Sequence, residues 1–106
     1  MTVEEYYVSE LSENSSEIPD DSILSRTFFD KDGYKAILFG FAPGQELSEH
    51  TASVPAVIHF LEGEAKLVLG DDEKKAKQGT WAYMPPNLPH SIKAETKVVM
   101  LLYMLG

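Results

Sequence analysis

The sequence predicts an all-β fold, a single sandwich or barrel of about eight to ten short antiparallel strands. Three observations carry that expectation. Short runs rich in Val, Ile, Leu, Phe and Tyr recur from Ile23 to the end of the chain, separated by clusters of Gly, Pro, Asn and Asp. No stretch keeps the helical spacing of apolar residues over three turns. The length, 106 residues with 43% hydrophobic content, suits one core and not two.

In chain order, residues 1–22 form an acidic lead-in. They hold seven acids and no base, and "SENSSEIPDDS" is loop chemistry, although Val3, Tyr6, Tyr7, Val8 and Leu11 could lie on the body. The barrel domain spans 23–106. "SRTFFDKDGYKAILFGFAPG" holds two apolar runs around "DKDG", a hairpin signal. "PAVIHFLEGEAKLVLG" reads as two strands joined by a tight turn at Glu62-Gly63. Gly63 and Gly70 suit turns that need positive φ. "GDDEKKAKQG" opens with a second turn and contains a short charged strand. "TWAYMPPNLPH" is a strand running into a bend fixed by Pro85, Pro86 and Pro89. "HSIKAETKVVMLLYML" supplies the last two strands.

"VVMLLYML" and "AVIHFL" are apolar on both parities, whereas a strand buried on one face alternates. Something must cover the outer face of one sheet. A second copy of the chain is the expected cover, giving a homodimer, with the N-terminal segment as the other candidate. Net charge is −8, and the chain beyond residue 22 is close to neutral, with ten acids against nine bases. No basic patch is present to displace counterions from phosphates, so nucleic acid and anionic membrane surfaces are excluded as expected partners. The acidic lead-in reads as a solubility feature. The absence of cysteine excludes disulfides, thiolate metal sites and a cysteine nucleophile. The N-terminus shows no basic segment followed by an apolar run, and no apolar run approaches the ~20 residues of a membrane span. A cytoplasmic protein is the expectation.

Two spaced motifs carry chemistry. Gly44 is followed by five residues and His50, and Gly63 closes the next strand. Later, Gly79 is followed by five residues and Pro85, then Asn87 and Pro89-His90. This pattern, over residues 36 to 102, resembles the cupin superfamily, whose signatures are G-x5-H-x-H-x(3,4)-E-x6-G and G-x5-P-x-G-x2-H-x3-N. The resemblance implies a small single-domain member of the RmlC-like type, with a double-stranded antiparallel jelly-roll barrel. In metal-binding members the two histidines and glutamate of the first motif and the histidine of the second hold one ion. Here only His50 and His90 match. The other ligand positions fall on Ala52 and Ala56, and the terminal asparagine of the second motif on Ala94. Asn87 stands at the glycine position, and asparagine tolerates a left-handed backbone.

Two imidazoles supply fewer donors than the three or more of useful protein sites. Structural four-ligand zinc sites reach about 10–16 kcal/mol, so two histidines imply at most a weakly held divalent transition metal. Side-chain alternation turns His59 away from the inward positions Ala56, Ile58 and Phe60. Glu46 shares parity with His50 and could reach the barrel mouth. The expected pocket is mostly apolar, walled by Ile58, Phe60, Met84 and Ile92, with Ala82 and Met84 or Trp81 and Tyr83 lining one strand. With His50 and His90 at one end, it suits a small organic molecule with an apolar body and one polar or acidic group. The leading expectation is therefore a small-molecule-binding cupin with a degenerate metal site. The alternatives are a metal-dependent enzyme of oxygenase or isomerase type, and a dimeric structural or regulatory protein with a vestigial pocket. Acid–base catalysis without metal lacks a carboxylate to orient either histidine.

Overall fold

A computed structural model describes residues 6–11 and 18–106. Val3 and the 12–17 part of the expected loop lie outside the described residues. The described chain forms nine strands: β1 (Ile23–Lys31), β2 (Tyr34–Phe41), β3 (Glu46–His50), β4 (Ala56–Glu62), β5 (Ala65–Leu69), β6 (Asp72–Ala76), β7 (Trp81–Met84), β8 (His90–Ala94) and β9 (Val98–Leu105). They make two antiparallel sheets, a five-stranded one in the order β1-β2-β9-β4-β7 and a four-stranded one in the order β3-β8-β5-β6. This is the jelly-roll arrangement: consecutive strands repeatedly cross from one sheet to the other, and the inner faces meet over one core.

The turns follow their sequence signals. Asp32 (φ 53) and Gly33 (φ 86) close the β1–β2 hairpin with both central residues at positive φ, the twist that suits a two-residue hairpin. Gly70 (φ 62) opens the β5–β6 turn and Gly63 (φ 91) the β4–β5 turn. β4 and β5 do not pair with each other. The Gly63 turn carries the chain from the first sheet to the second.

The inner faces hold one cluster that includes Phe41, Ala56, Ile58, Phe60, Leu67, Met84, Ile92 and Met100. The outer face of the first sheet carries a second, smaller cluster of Leu38, Val99 and Leu101. This explains the strands that are apolar on both parities: Val98 to Leu101 are all buried. Part of the cover is the N-terminal segment, since Leu11 and Ile18 pack on the second cluster. Gly40 permits this approach, because a Cβ there would sit 2.7 Å from the Ile18 side chain. The other half of that outer face, along β4 and β7, leaves Trp81 60% and Tyr83 51% exposed. The outer face of the second sheet is charged and solvated, with Lys75 bonded to Glu64 at 2.9 Å. Such exposed pairs contribute little to stability.

Candidate functional site: a histidine pair at the end of the second sheet

His50 ends β3 and His90 begins β8, and the two face each other directly across the ladder. A bulge makes this pairing. Glu46 opposes Lys93 and Leu47 opposes Ile92, but the next pair is His50 with His90, so β3 spends one extra residue between Leu47 and His50. Leu47 packs on the inner core. Without the bulge Glu49 would take the inward place. The bulge also corrects the parity expected for Glu46, which is exposed and does not share the face of His50.

Both rings are oriented by the backbone. His50 Nδ1 lies 2.8 Å from the Ser48 carbonyl oxygen, inside the bulge. His90 Nδ1 lies 2.8 Å from the Leu88 carbonyl oxygen. A carbonyl only accepts, so each Nδ1 must donate its proton, and in the neutral ring each Nε2 keeps a lone pair. The ring centroids are 4.2 Å apart with planes inclined at 59°. His50 is exposed, whereas His90 is 5% exposed. Burial pushes the His90 pKa below its ordinary value; the Leu88 carbonyl opposes this and the His50 ring adds to it. His90 is therefore neutral at pH 7. No buried side-chain nitrogen or oxygen among the described residues lacks a partner, so His90 Nε2 is not sealed in the core.

The proline-rich bend that delivers His90 is tied down on two sides. The Asn87 N–H donates to the Ala52 carbonyl at 2.7 Å, and the Gly70 N–H donates to the Pro89 carbonyl at 2.7 Å. Asn87 has φ 67, the left-handed conformation expected of it. The two motifs thus meet through backbone as well as through the histidines.

The remaining site positions are apolar. Ala56 and Ala94 are buried on the inner face, and Ala52 lies at the loop. His59 pairs with Trp81 and Leu101 on the outer side of β4, away from the histidine pair. Among the described residues no group of three or more His, Cys, Asp or Glu side chains comes together. The donor set does not fit an ion that needs three or more protein ligands. Ile58, Phe60, Met84 and Ile92 are 1%, 0%, 2% and 1% exposed, so water does not reach this wall. The structure selects Ala82 and Met84 as the inward pair of β7, and Trp81 and Tyr83 as the outward pair. A separate cleft of about 350 Å³, lined by Tyr7, Leu11, Phe28, Phe29, Tyr34 and Tyr103 among others, lies beneath the N-terminal segment and shares no residue with the histidine pair.

No helix among the described residues is long and apolar enough to cross a membrane. No functionally curated protein matches the chain. Solved structures do. A cupin superfamily protein from Desulfitobacterium hafniense is 25% identical, with a TM-score of 0.80 over 84% of this chain and 82% of its own. A conserved protein of unknown function from Streptococcus pyogenes is 26% identical, with a TM-score of 0.82 over 97% and 90%. The fold is also shared with a salicylate 1,2-dioxygenase from Pseudaminobacter salicylatoxidans, at 16% identity and a TM-score of 0.73 over 89% of this chain and 30% of the enzyme. The family model for the cupin domain matches residues 37–106. With that match, the two interlocked sheets and the paired motif histidines, the chain belongs to the cupin family.

Proposed function

We propose that this cupin binds a small organic molecule at a degenerate metal site, with His50 and His90 at the ligand's polar end. Ile58, Phe60, Met84 and Ile92 form the apolar floor beneath them, held closed in the resting protein. The observation that carries this reading is the cross-strand histidine pair itself, held by two 2.8 Å backbone bonds with no third donor beside it among the described residues. A metal enzyme would need that third donor. The likeness to the dioxygenase extends to the fold and does not supply one.

The test is metal content by plasma mass spectrometry on untagged protein after dialysis, with a His50→Ala, His90→Ala double variant alongside. We expect no near-stoichiometric metal in either protein. A thermal-shift screen of small phenols, amines and carboxylates should then find compounds that stabilise the parent but not the double variant. A ligand at ten times its Kd contributes about 1.4 kcal/mol, or roughly 6–11 °C in Tm for a domain near this size. Stoichiometric metal that is retained by the parent and lost in the double variant would replace this reading with a metal-dependent enzyme.

We also propose that a second copy of the chain covers the open half of the first sheet's outer face. Trp81 and Tyr83 on the edge strand β7, with Val57 and His59 on β4, make a patch with no Lys, Arg, Asp or Glu. The barrel part of the chain is close to neutral, and this patch sets no like charges against each other when two copies meet. Aromatic side chains are the usual anchors of protein interfaces. Light scattering at tens of micromolar should find a dimer for the parent. Trp81→Glu with Tyr83→Glu should give a folded monomer, with far-UV circular dichroism unchanged. A parent that is monomeric at that concentration would rule the interface out.

A further inference from the structure

The histidine pair has a hydrogen-bonding polarity that its residue types alone do not reveal. Both Nδ1 protons are committed to backbone oxygens, Ser48 and Leu88, at 2.8 Å. With one proton on each ring, held on Nδ1 by the backbone, the pair offers a ligand two lone pairs, one on each Nε2, on rings whose centroids are 4.2 Å apart. It has no ring N–H left to give. The surrounding inward positions on these strands, Leu47 and Ile92, are apolar and add no donor. Lys93, the nearest base along β8, is exposed on the opposite parity and faces Glu46 and Lys66 across its ladders.

From this geometry we infer that the site selects hydrogen-bond donors, a phenol-type hydroxyl or a primary ammonium, and rejects carboxylates. The inference rests on the reading of His50 and His90 as the ligand-binding pair. A carboxylate carries only acceptors and would set its oxygens against two acceptor nitrogens. An unsatisfied acceptor pairing in a partly desolvated site costs at least about tenfold in affinity. A hydroxyl satisfies one Nε2. An ammonium has enough hydrogens to satisfy both.

Two-bond proton–nitrogen correlation spectra of the histidine rings test this directly. The full chain is treated with chelator and titrated at pH 8 with phenol, benzylamine and benzoate, three probes that share one aromatic ring. The free protein should show Nδ1 protonated and Nε2 bare on His50 and His90; the reverse tautomer on either ring would overturn the inference. Phenol or benzylammonium should move the Nε2 resonances of both rings, with an apparent Kd at least tenfold lower than that of benzoate. The tighter of the two tells whether the preferred donor is neutral or cationic. Benzoate binding as tightly as the donors would sink the donor preference while leaving the ligand-binding reading intact. If none of the three probes moves either ring, the ligand-binding reading itself falls, and the inference with it.

Discussion

Gly63→Ala is expected to destabilise the fold by on the order of 3 kcal/mol or more, while Gly79→Ala costs only about 1. The two glycines form a matched pair. Both have φ of +91, so a side chain meets the same backbone strain at either position. They differ in what surrounds them. A Cβ at Gly79 would meet nothing within 4 Å. A Cβ at Gly63 would overlap the Lys97 carbonyl oxygen and lie 3.0 Å from Thr96 Oγ1. That loop cannot move aside freely, because the Glu64 N–H donates to Thr96 Oγ1 at 3.0 Å and the Glu95 N–H donates to the Glu64 carbonyl at 2.8 Å. Gly63 sits where β4 leaves the first sheet for β5 in the second, so a displaced loop would pull the two sheets out of register. In thermal unfolding, Gly63→Ala should lower Tm by at least about 12 °C and Gly79→Ala by about 4–8 °C. Equal losses would mean that strain alone matters at Gly63 and that the close approach to Lys97 carries no weight.

The same glycine shows how far the sequence is legible. Its turn, the Asp32-Gly33 hairpin and the left-handed Asn87 are each dictated by one or two residues and their allowed backbone angles. Such local rules survive folding unchanged. The burial of Val98 to Leu101 on both parities is legible too, because composition records it directly. The bulge in β3 is not. "ELSEH" contains no glycine or proline to mark it, and it exists because Leu47 and His50 must both face inward opposite Ile92 and His90. Parity counting assumes an unbroken ladder, which is why Glu46 falls on the wrong face when counted from His50. The parity of β7 is not legible for a different reason: "WAYM" has no charged residue to mark the outside, and only pairing with β4 fixes it. The ring tautomers depend on the carbonyls of Ser48 and Leu88, which no residue type announces.

Phe60→Ala should cost about 3–5 kcal/mol, the range for removing a large aromatic side chain from a packed core. Phe60 is 0% exposed and belongs to the same cluster as Ile58, Met84, Ile92 and Met100. The alanines at the motif's ligand positions are small, and the near-zero exposure of these neighbours indicates that the space beside them is filled from within. That filling is not legible in the sequence, because it depends on which rotamers Phe60 and Met100 adopt beside the alanines. Removing the Phe60 ring should reopen a cavity on the floor beneath His50 and His90. An apolar cavity of that kind stays dry and takes up benzene. Saturating benzene should therefore raise the Tm of Phe60→Ala by several degrees and leave the parent unchanged. Since the loss is a large fraction of the roughly 5–15 kcal/mol available to a domain, Phe60→Leu serves as a milder probe, expected to cost about 1–1.5 kcal/mol. Stabilisation of the parent by benzene would show a barrel already open at rest. The apolar floor would then be a standing pocket, and the histidine pair would be its polar end and not a surface feature above a closed core.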